Sequence, residues 1–107
     1  MSEFVAVAST SEIPDPGKLL VEVGERLVVL IHAARHYYAL DDICTHDGGP
    51  LSEGPLNPQE CTIACPRHGA KFDIRTGAAV SMPATKPTAA HEVKVEGNQI
   101  FVRLSDG

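Results

Sequence analysis

Residues 44–51 read Cys-Thr-His-Asp-Gly-Gly-Pro-Leu, and residues 65–73 read Cys-Pro-Arg-His-Gly-Ala-Lys-Phe-Asp. Each stretch offers one thiolate and one imidazole, in the patterns Cys-x-His and Cys-x-x-His. These are soft and borderline ligands that suit iron-sulfur clusters, zinc or copper, and two such pairs supply four ligands. The sequence therefore predicts a metal centre held by Cys44, His46, Cys65 and His68.

The two motifs lie in a loop-rich middle region. Six of the eight prolines fall between residues 50 and 87. Residues 41–60 have almost no hydrophobic periodicity, and an unsupported loop of that length is uncommon in a compact domain unless it is functional. A metal centre would hold this loop in place. Between the loops we predict a strand at Cys61–Ala64 and a hairpin of Lys71–Ile74 with Ala78–Ser81.

Both ends of the chain show the period-2 and β-branched patterns of strands, and no long helical pattern is present. Turn signals stand at Gly24-Glu25 and at Glu96-Gly97-Asn98. The sequence thus predicts an all-β protein. The predicted strands are Phe4–Ala8, Lys18–Val23, Arg26–Ala33, His36–Leu40, His91–Val95 and Gln99–Leu104.

Length and charge limit the function classes. A chain of 107 residues is the size of one domain. Nine Lys and Arg against 14 Asp and Glu give a net charge of −5 without a basic run, which argues against nucleic acid or an anionic membrane as partner. The short apolar stretch Phe4–Ala8 follows no positive charge, so we expect neither a secretory signal nor a membrane span, and a cytoplasmic protein.

Two other interpretations use the same four side chains. A structural zinc site is one, although zinc ligand pairs are usually separated by about two to five residues, and Cys44-x-His46 is tighter than that. In the second interpretation the four residues are buried and bind no metal, which would leave the long proline-rich loop without an anchor. Both fit the pattern less well than an iron-sulfur cluster.

The chain resembles the Rieske-type [2Fe-2S] proteins, most closely their small soluble ferredoxin branch. The resemblance is carried by residues 44–51 and 65–73, by Arg75-Thr76-Gly77 and by residues 82–87, which read Met-Pro-Ala-Thr-Lys-Pro. The resemblance implies a single domain, residues 1–107, built as an antiparallel β-sandwich with a loop-rich cluster-binding subdomain at about residues 41–87. It implies one [2Fe-2S] cluster per chain. Cys44 and Cys65 would bind one iron, and His46 and His68 the other. Residues 82–87 would form a third loop that shields the cluster.

The function implied by this resemblance is that of a monomeric one-electron carrier. It would pass electrons from a flavin-dependent reductase to a terminal oxygenase, and the chain itself would not be an enzyme because it has no room for a second catalytic domain. A rival interpretation is a tightly bound redox subunit or accessory protein of a larger enzyme, in a nitrite-reductase-like assembly or in iron-sulfur assembly.

Four positions bear on the reduction potential. In the high-potential respiratory branch of the family, a serine and a tyrosine donate hydrogen bonds to the cluster sulfurs at positions matching Ala70 and Phe72, which carry no hydroxyl. A disulfide in that branch joins positions matching Gly49 and Arg67, which cannot form one. We therefore expect a potential near the lower end of the range for Rieske centres, which is roughly −150 to +300 mV.

The remaining candidate residues receive structural interpretations. Cys61, in phase with Ile63, is expected to be an inert core thiol in a strand. We expect Tyr37 and Tyr38 to divide into one core and one surface residue. We predict ordinary surface or edge positions for His32, His36 and His91. Asp41 and Asp42 are expected to form a solvated turn, with a docking role as the alternative because they lie close to Cys44.

Overall fold

The fold is described from a computed structural model that covers residues 3–45, 48–67, 69–82 and 84–105. Within these ranges it contains nine strands and two single-turn 3-10 helices, Thr10–Glu12 and Leu51–Glu53. None of the helices described there is long or apolar enough to cross a membrane. The strands are β1 (Val5–Ser9), β2 (Gly17–Val23), β3 (Arg26–Ala33), β4 (His36–Asp41), β5 (Leu56–Asn57), β6 (Thr62–Ala64), β7 (Lys71–Asp73), β8 (Ala90–Glu96) and β9 (Gln99–Arg103).

All strand pairs are antiparallel and form two sheets. One has six strands in the order β1-β9-β8-β4-β3-β2, and the other has three in the order β5-β6-β7. The predicted all-β antiparallel class is confirmed. The six strands of the larger sheet agree with the predicted strands to within one residue at each end. The turn at Gly24-Glu25 closes a two-residue hairpin in which Val23 pairs with Arg26, because glycine adopts the positive φ that such turns need.

Strand β3 is buried on both faces and separates two hydrophobic cores. Val29 and Ile31 belong to the first core, which also holds residues of the small sheet, such as Phe72. Val28 and Leu30 face the second core, against the strands near the two ends of the chain. The small sheet is therefore attached to the larger one through the first core.

The existence of two cores corrects the prediction for the tyrosines. Tyr37 packs against the second core and Tyr38 against the first, and both are half-buried. Successive side chains do point to opposite faces of β4. Because each face of this strand covers a core, neither tyrosine is a surface residue.

The small sheet differs from its prediction at both ends. Strand β6 begins at Thr62, because Cys61 has a φ of 58° and occupies a turn. The predicted strand position of Cys61 was therefore wrong. Its side chain is half-buried and packs against the first core, with the thiol 3.7 Å from the carbonyl oxygen of Pro58, so the predicted core position is met in part. The second arm of the predicted hairpin is reduced to one bridge between Phe72 and Ala79.

Candidate metal centre

The two predicted cysteine ligands are buried at the edge of the first core. Cys44 follows β4 and is 1% exposed, and Cys65 follows β6 and is 2% exposed. All three cysteines of the chain lie within the described residues and none is in a disulfide. The other two predicted ligands, His46 and His68, lie outside the described residues.

The loops that begin at the two cysteines have the same hydrogen-bonding pattern. In the first loop, residues 44–49, the N–H of Gly48 donates to the carbonyl oxygen of Cys44 (2.7 Å), and the N–H of Cys44 donates to that of Gly49 (2.8 Å). In the second loop, residues 65–70, the N–H of Gly69 donates to the carbonyl oxygen of Cys65 (3.0 Å), and the N–H of Cys65 donates to the carbonyl oxygen of Ala70 (2.8 Å).

The backbone conformation of the two loops agrees as well. The fifth residue of each loop is a glycine with positive φ, 76° at Gly48 and 74° at Gly69, a conformation that side chains disfavour. A Cβ atom on either glycine would meet nothing within 4 Å, so space is left beside both loops. The two cysteines therefore occupy equivalent positions in two copies of one loop.

Side chains fasten the first loop at its base. The Asp42 carboxylate accepts two hydrogen bonds from Ser52, from its N–H (2.5 Å) and its hydroxyl (3.0 Å). The ammonium group of Lys18 donates to the carbonyl oxygen of Ser52 (2.7 Å). The expectation of a solvated turn at Asp42 was wrong, since this carboxylate closes the loop that contains Cys44.

A third segment packs beside the first loop. The hydroxyl of Thr45 donates to the carbonyl oxygen of Lys86 at 2.6 Å, and Ala84 is buried in the first core with the two cysteines. Ala84 and Lys86 of residues 82–87 therefore contact the first core and the first loop, while Pro83 lies outside the described residues. That this segment shields a cluster stays a prediction.

Sequence reasoning missed a buried polar network that joins the two halves of the large sheet. His91 has a fully buried side chain, and its Nε2 lies 2.7 Å from an Asp41 carboxylate oxygen. The backbone N–H of Ser105 donates to Nδ1 (3.1 Å), so Nδ1 is the acceptor and Nε2 carries the proton given to Asp41. The expected surface histidine and solvated aspartate are both corrected. The two residues are 50 positions apart in the chain, so no local pattern indicated their contact.

A surface ion pair marks the turn after β7. The Arg75 guanidinium donates to both carboxylate oxygens of Asp73, at 3.1 and 2.9 Å. This hydrogen bonding lowers the pKa of Asp73 below its usual value of 3.8, although partial burial acts in the opposite direction. The pair stabilises the turn without touching either cysteine loop.

The chemistry of the two loops suits a soft metal group. Two buried thiols are thiolate ligands once deprotonated, and Ala70 and Phe72, both fully buried, give their surroundings an apolar character without side-chain hydroxyls. Among the described residues, no three His, Cys, Asp or Glu side chains converge on one metal position, and both predicted histidine ligands fall outside that part of the chain. The cysteines present fit an iron-sulfur group, which needs thiolate ligands on firmly held loops.

Comparison with known proteins gives consistent results. Residues 3–103 match the sequence model of the Rieske [2Fe-2S] domain. The 3-phenylpropionate/cinnamic acid dioxygenase ferredoxin subunit of Escherichia coli (strain K12) is 33% identical over 96 residues, which cover 90% of this chain and 89% of that protein.

Two solved structures are similar over nearly the whole chain. The ferredoxin of carbazole 1,9a-dioxygenase from Nocardioides aromaticivorans IC177 has a TM-score of 0.90 and 29% identity, covering 92% of this chain and 95% of that one. A ferredoxin solved in a complex of reduced oxygenase and oxidized ferredoxin in carbazole 1,9a-dioxygenase has a TM-score of 0.85 and 32% identity, covering 92% and 91%.

Proposed function

Because the chain belongs to the Rieske [2Fe-2S] domain family, we propose that it is a one-electron carrier between a flavin-dependent reductase and a terminal oxygenase. Its relatives are named as ferredoxin subunits of dioxygenases, and one of them was solved in complex with its oxygenase. The chain is accordingly the electron-transfer component of such a system and not its catalytic component. We also propose that it is a cytoplasmic monomer.

The ligand set of its single [2Fe-2S] cluster is part of the proposal. Cys44 and Cys65 would hold one iron, and His46 and His68 the other. The repeated loop is the observation that supports this assignment most strongly, since it holds two buried thiols in the same backbone frame. We propose that residues 1–107 form one domain, with the ligands in the cluster-binding subdomain at about residues 41–87.

When bound, the cluster supplies a one-electron couple. The residues of this chain determine how easily it is reduced. With neutral imidazoles in place of two thiolates, the liganded site is less negative, and adding an electron to a less negative site costs less. Hydroxyl donors near the sulfurs would favour reduction further, and neither Ala70 nor Phe72 can donate one from its side chain. Both side chains are fully buried.

We therefore expect a reduction potential near the lower end of the roughly −150 to +300 mV range of Rieske centres. A redox titration followed by circular dichroism measures it directly. Phe72→Tyr should raise the midpoint, since it adds a hydroxyl donor, while Phe101→Tyr serves as a control away from the cysteine loops. A wild-type midpoint well above 0 mV would contradict this account of the two side chains.

The ligand assignment is tested by metal analysis and electron paramagnetic resonance. The reduced wild-type protein should contain two irons and two sulfides per chain and show the low average g value of mixed cysteine and histidine ligation. Cys44→Ser and Cys65→Ser should lose the cluster, whereas Cys61→Ser should keep it. Zinc in place of iron, or a Cys61→Ser protein without cluster, would overturn the assignment.

Function is tested by electron transfer in both directions. The oxidised protein should be reduced rapidly by NADH and a reductase of a dioxygenase system, and the reduced protein should be re-oxidised by the terminal oxygenase at a rate that falls with added salt. A stable complex with a larger enzyme that persists through gel filtration would instead indicate a permanently bound subunit.

A further inference from the structure

A buried side-chain bond lies where two strands of the large sheet reach the metal centre. Strand β4 ends at Asp41, three residues before Cys44, and therefore leads into the first loop. Strand β8 begins at Ala90, three residues after the third loop, which spans residues 82–87. The hydrogen bond between Asp41 and His91, 2.7 Å long, thus joins the strand that enters the first loop to the strand that follows the third.

The backbone joint between these two strands is short. Strand β4 pairs with β3 over six residues, but with β8 over two, Ala39 with His91 and Leu40 with Ala90. The carboxylate of Asp41 receives its bond from His91 one position beyond these pairs, on the side of the first loop. The His91 side chain is fully buried, so water does not compete for its ring N–H.

Both ring nitrogens of His91 are already in use. Nδ1 accepts from the backbone N–H of Ser105 at 3.1 Å, which leaves Nε2 to carry the proton donated to Asp41. The Arg26 guanidinium lies 3.6 Å from the same carboxylate oxygen, so Asp41 sits between a cation on β3 and a neutral imidazole on β8. Hydrogen bonds to a charged group are stronger than those between neutral groups, which makes this bond a firm link between the two strands.

The network acts on the metal centre through the backbone. His91 and its register partner Ala39 share one face of the sheet, and Ala39 packs in the second core. Cys44 lies in the first core, on the other side of the sheet. Because both of its nitrogens are bonded and it lies on the opposite face, the imidazole is not a further ligand. Its influence passes through Asp41 and the two residues that connect Asp41 to Cys44.

We propose that His91 is a positioning residue of the metal centre, which holds Asp41 and so fixes the spacing between the first and third loops. The inference rests on the proposed role of Cys44 as a cluster ligand. Thr45 and Lys86 also join these loops, but their bond lies at an exposed site, where water competes with it. Without the buried bond the two loops should separate more readily, admit water to the centre and make iron easier to remove.

Two amide variants separate the bonds of His91. In His91→Gln the amide nitrogen reaches the position of Nε2 and can still donate to Asp41. In His91→Asn the amide oxygen lies near the position of Nδ1 and can accept from Ser105, but the side chain does not reach Asp41. In cluster-loaded protein, His91→Asn should release iron to a chelator about tenfold faster than the wild type, and His91→Gln about as slowly as the wild type. When reduced, His91→Asn should also show shifted g values and have a higher midpoint potential, because water stabilises the more negative, reduced form.

A core variant distinguishes positioning from a general loss of stability. Ile100→Ala leaves a cavity in the same second core without changing Asp41 or His91, and it should lower the thermal unfolding midpoint at least as much as His91→Asn. It should nevertheless keep the wild-type g values and midpoint potential. Asp41→Ala removes the bond from its other side and should reproduce the behaviour of His91→Asn, which provides a second variant if the first does not fold.

The outcomes separate this inference from the proposed function. Wild-type iron release and g values in His91→Asn and Asp41→Ala, or the same changes in His91→Gln or Ile100→Ala, would overturn the inference alone. A wild-type protein without iron and sulfide would overturn the ligand assignment and, with it, the positioning role of His91.

Discussion

The first and second loops share one backbone frame but are supported differently. The second loop continues the hairpin of β6 and β7, in which Ala64 pairs with Lys71 directly before the loop closes. The first loop follows β4 and is held by side chains, chiefly Asp42 on Ser52 and Thr45 on Lys86. The second loop is thus supported by a strand ladder, and the first loop by individual side-chain hydrogen bonds. A substitution of one side chain should therefore lower the stability of the first loop more than that of the second.

The largest loss of stability is expected at Gly54, where the segment after the first loop packs against the strand that leads into the second loop. Gly54 ends the 3-10 helix that follows the first loop, and a Cβ on it would overlap the backbone carbonyl oxygen of Ala64, next to Cys65. Gly54→Ala should cost more than about 3 kcal/mol, because backbone on both sides would have to move. The thermal unfolding midpoint should fall by more than about 10 °C. Glu53→Ala, at the exposed neighbouring position, should change it little; equal midpoints for both variants would contradict the close packing.

A smaller effect is expected at the base of the first loop. Asp42→Ala removes both hydrogen bonds to Ser52 and leaves a part-buried N–H without its acceptor, which should cost about 1–3 kcal/mol. Ser52→Ala removes only the hydroxyl bond and should cost less. Iron release to a chelator, followed by absorbance, should be fastest in Asp42→Ala. Equal release rates in the two variants would show that the backbone N–H bond contributes nothing to holding the loop.

The contact between the first and third loops should contribute less still. Thr45→Val keeps the shape of the side chain but removes its hydrogen bond to Lys86, at a cost of about 0.5–1 kcal/mol because the site is exposed. Thr45→Ser retains the hydroxyl and is the matched control. Denaturant unfolding of both variants measures the difference, and a serine variant as unstable as the valine variant would attribute the effect to the methyl group.

The smallest effect should come from the ion pair at the turn beyond the second loop. Arg75 lowers the pKa of Asp73, so the pair stabilises the fold above the usual pKa of 3.8, and this contribution is lost as the pH falls through the lowered value. Arg75→Gln should therefore unfold slightly earlier than the wild type at pH 7, and the difference should shrink as the pH falls below 3.8 and disappear once Asp73 is protonated in the folded protein. A difference that persists after Asp73 has been protonated, as followed by its carboxyl resonance, would show that packing, and not charge, is responsible.

Local patterns predicted the parts of this protein that local physics determines. Alternating apolar residues located the outer strands, and the two Cys-and-His motifs located the buried thiols of Cys44 and Cys65. The assignments of His46 and His68 remain predictions. Features that depend on contacts between distant parts of the chain could not be predicted from the sequence. The hydrogen bond between Asp41 and His91 joins β4 to β8. Tyr37 and Tyr38 are both half-buried because each face of β4 covers a core. The turn conformation of Cys61 likewise depends on its surroundings, since its carbonyl oxygen accepts from the N–H of Ile74.

Burial of β3 on both faces limits which amino-acid substitutions this chain can accept during evolution. Most strands in antiparallel sheets have one face that can exchange one polar residue for another at little cost. Val28 to Ile31 have no such face, because each of the four side chains is fully buried in one core or the other. A charged substitution at any of them would leave its charge buried without a partner. Variation that adapts the protein to new redox partners is therefore expected in the loops and at exposed strand positions, while residues Val28 to Ile31 of β3 should tolerate only apolar residues of similar size.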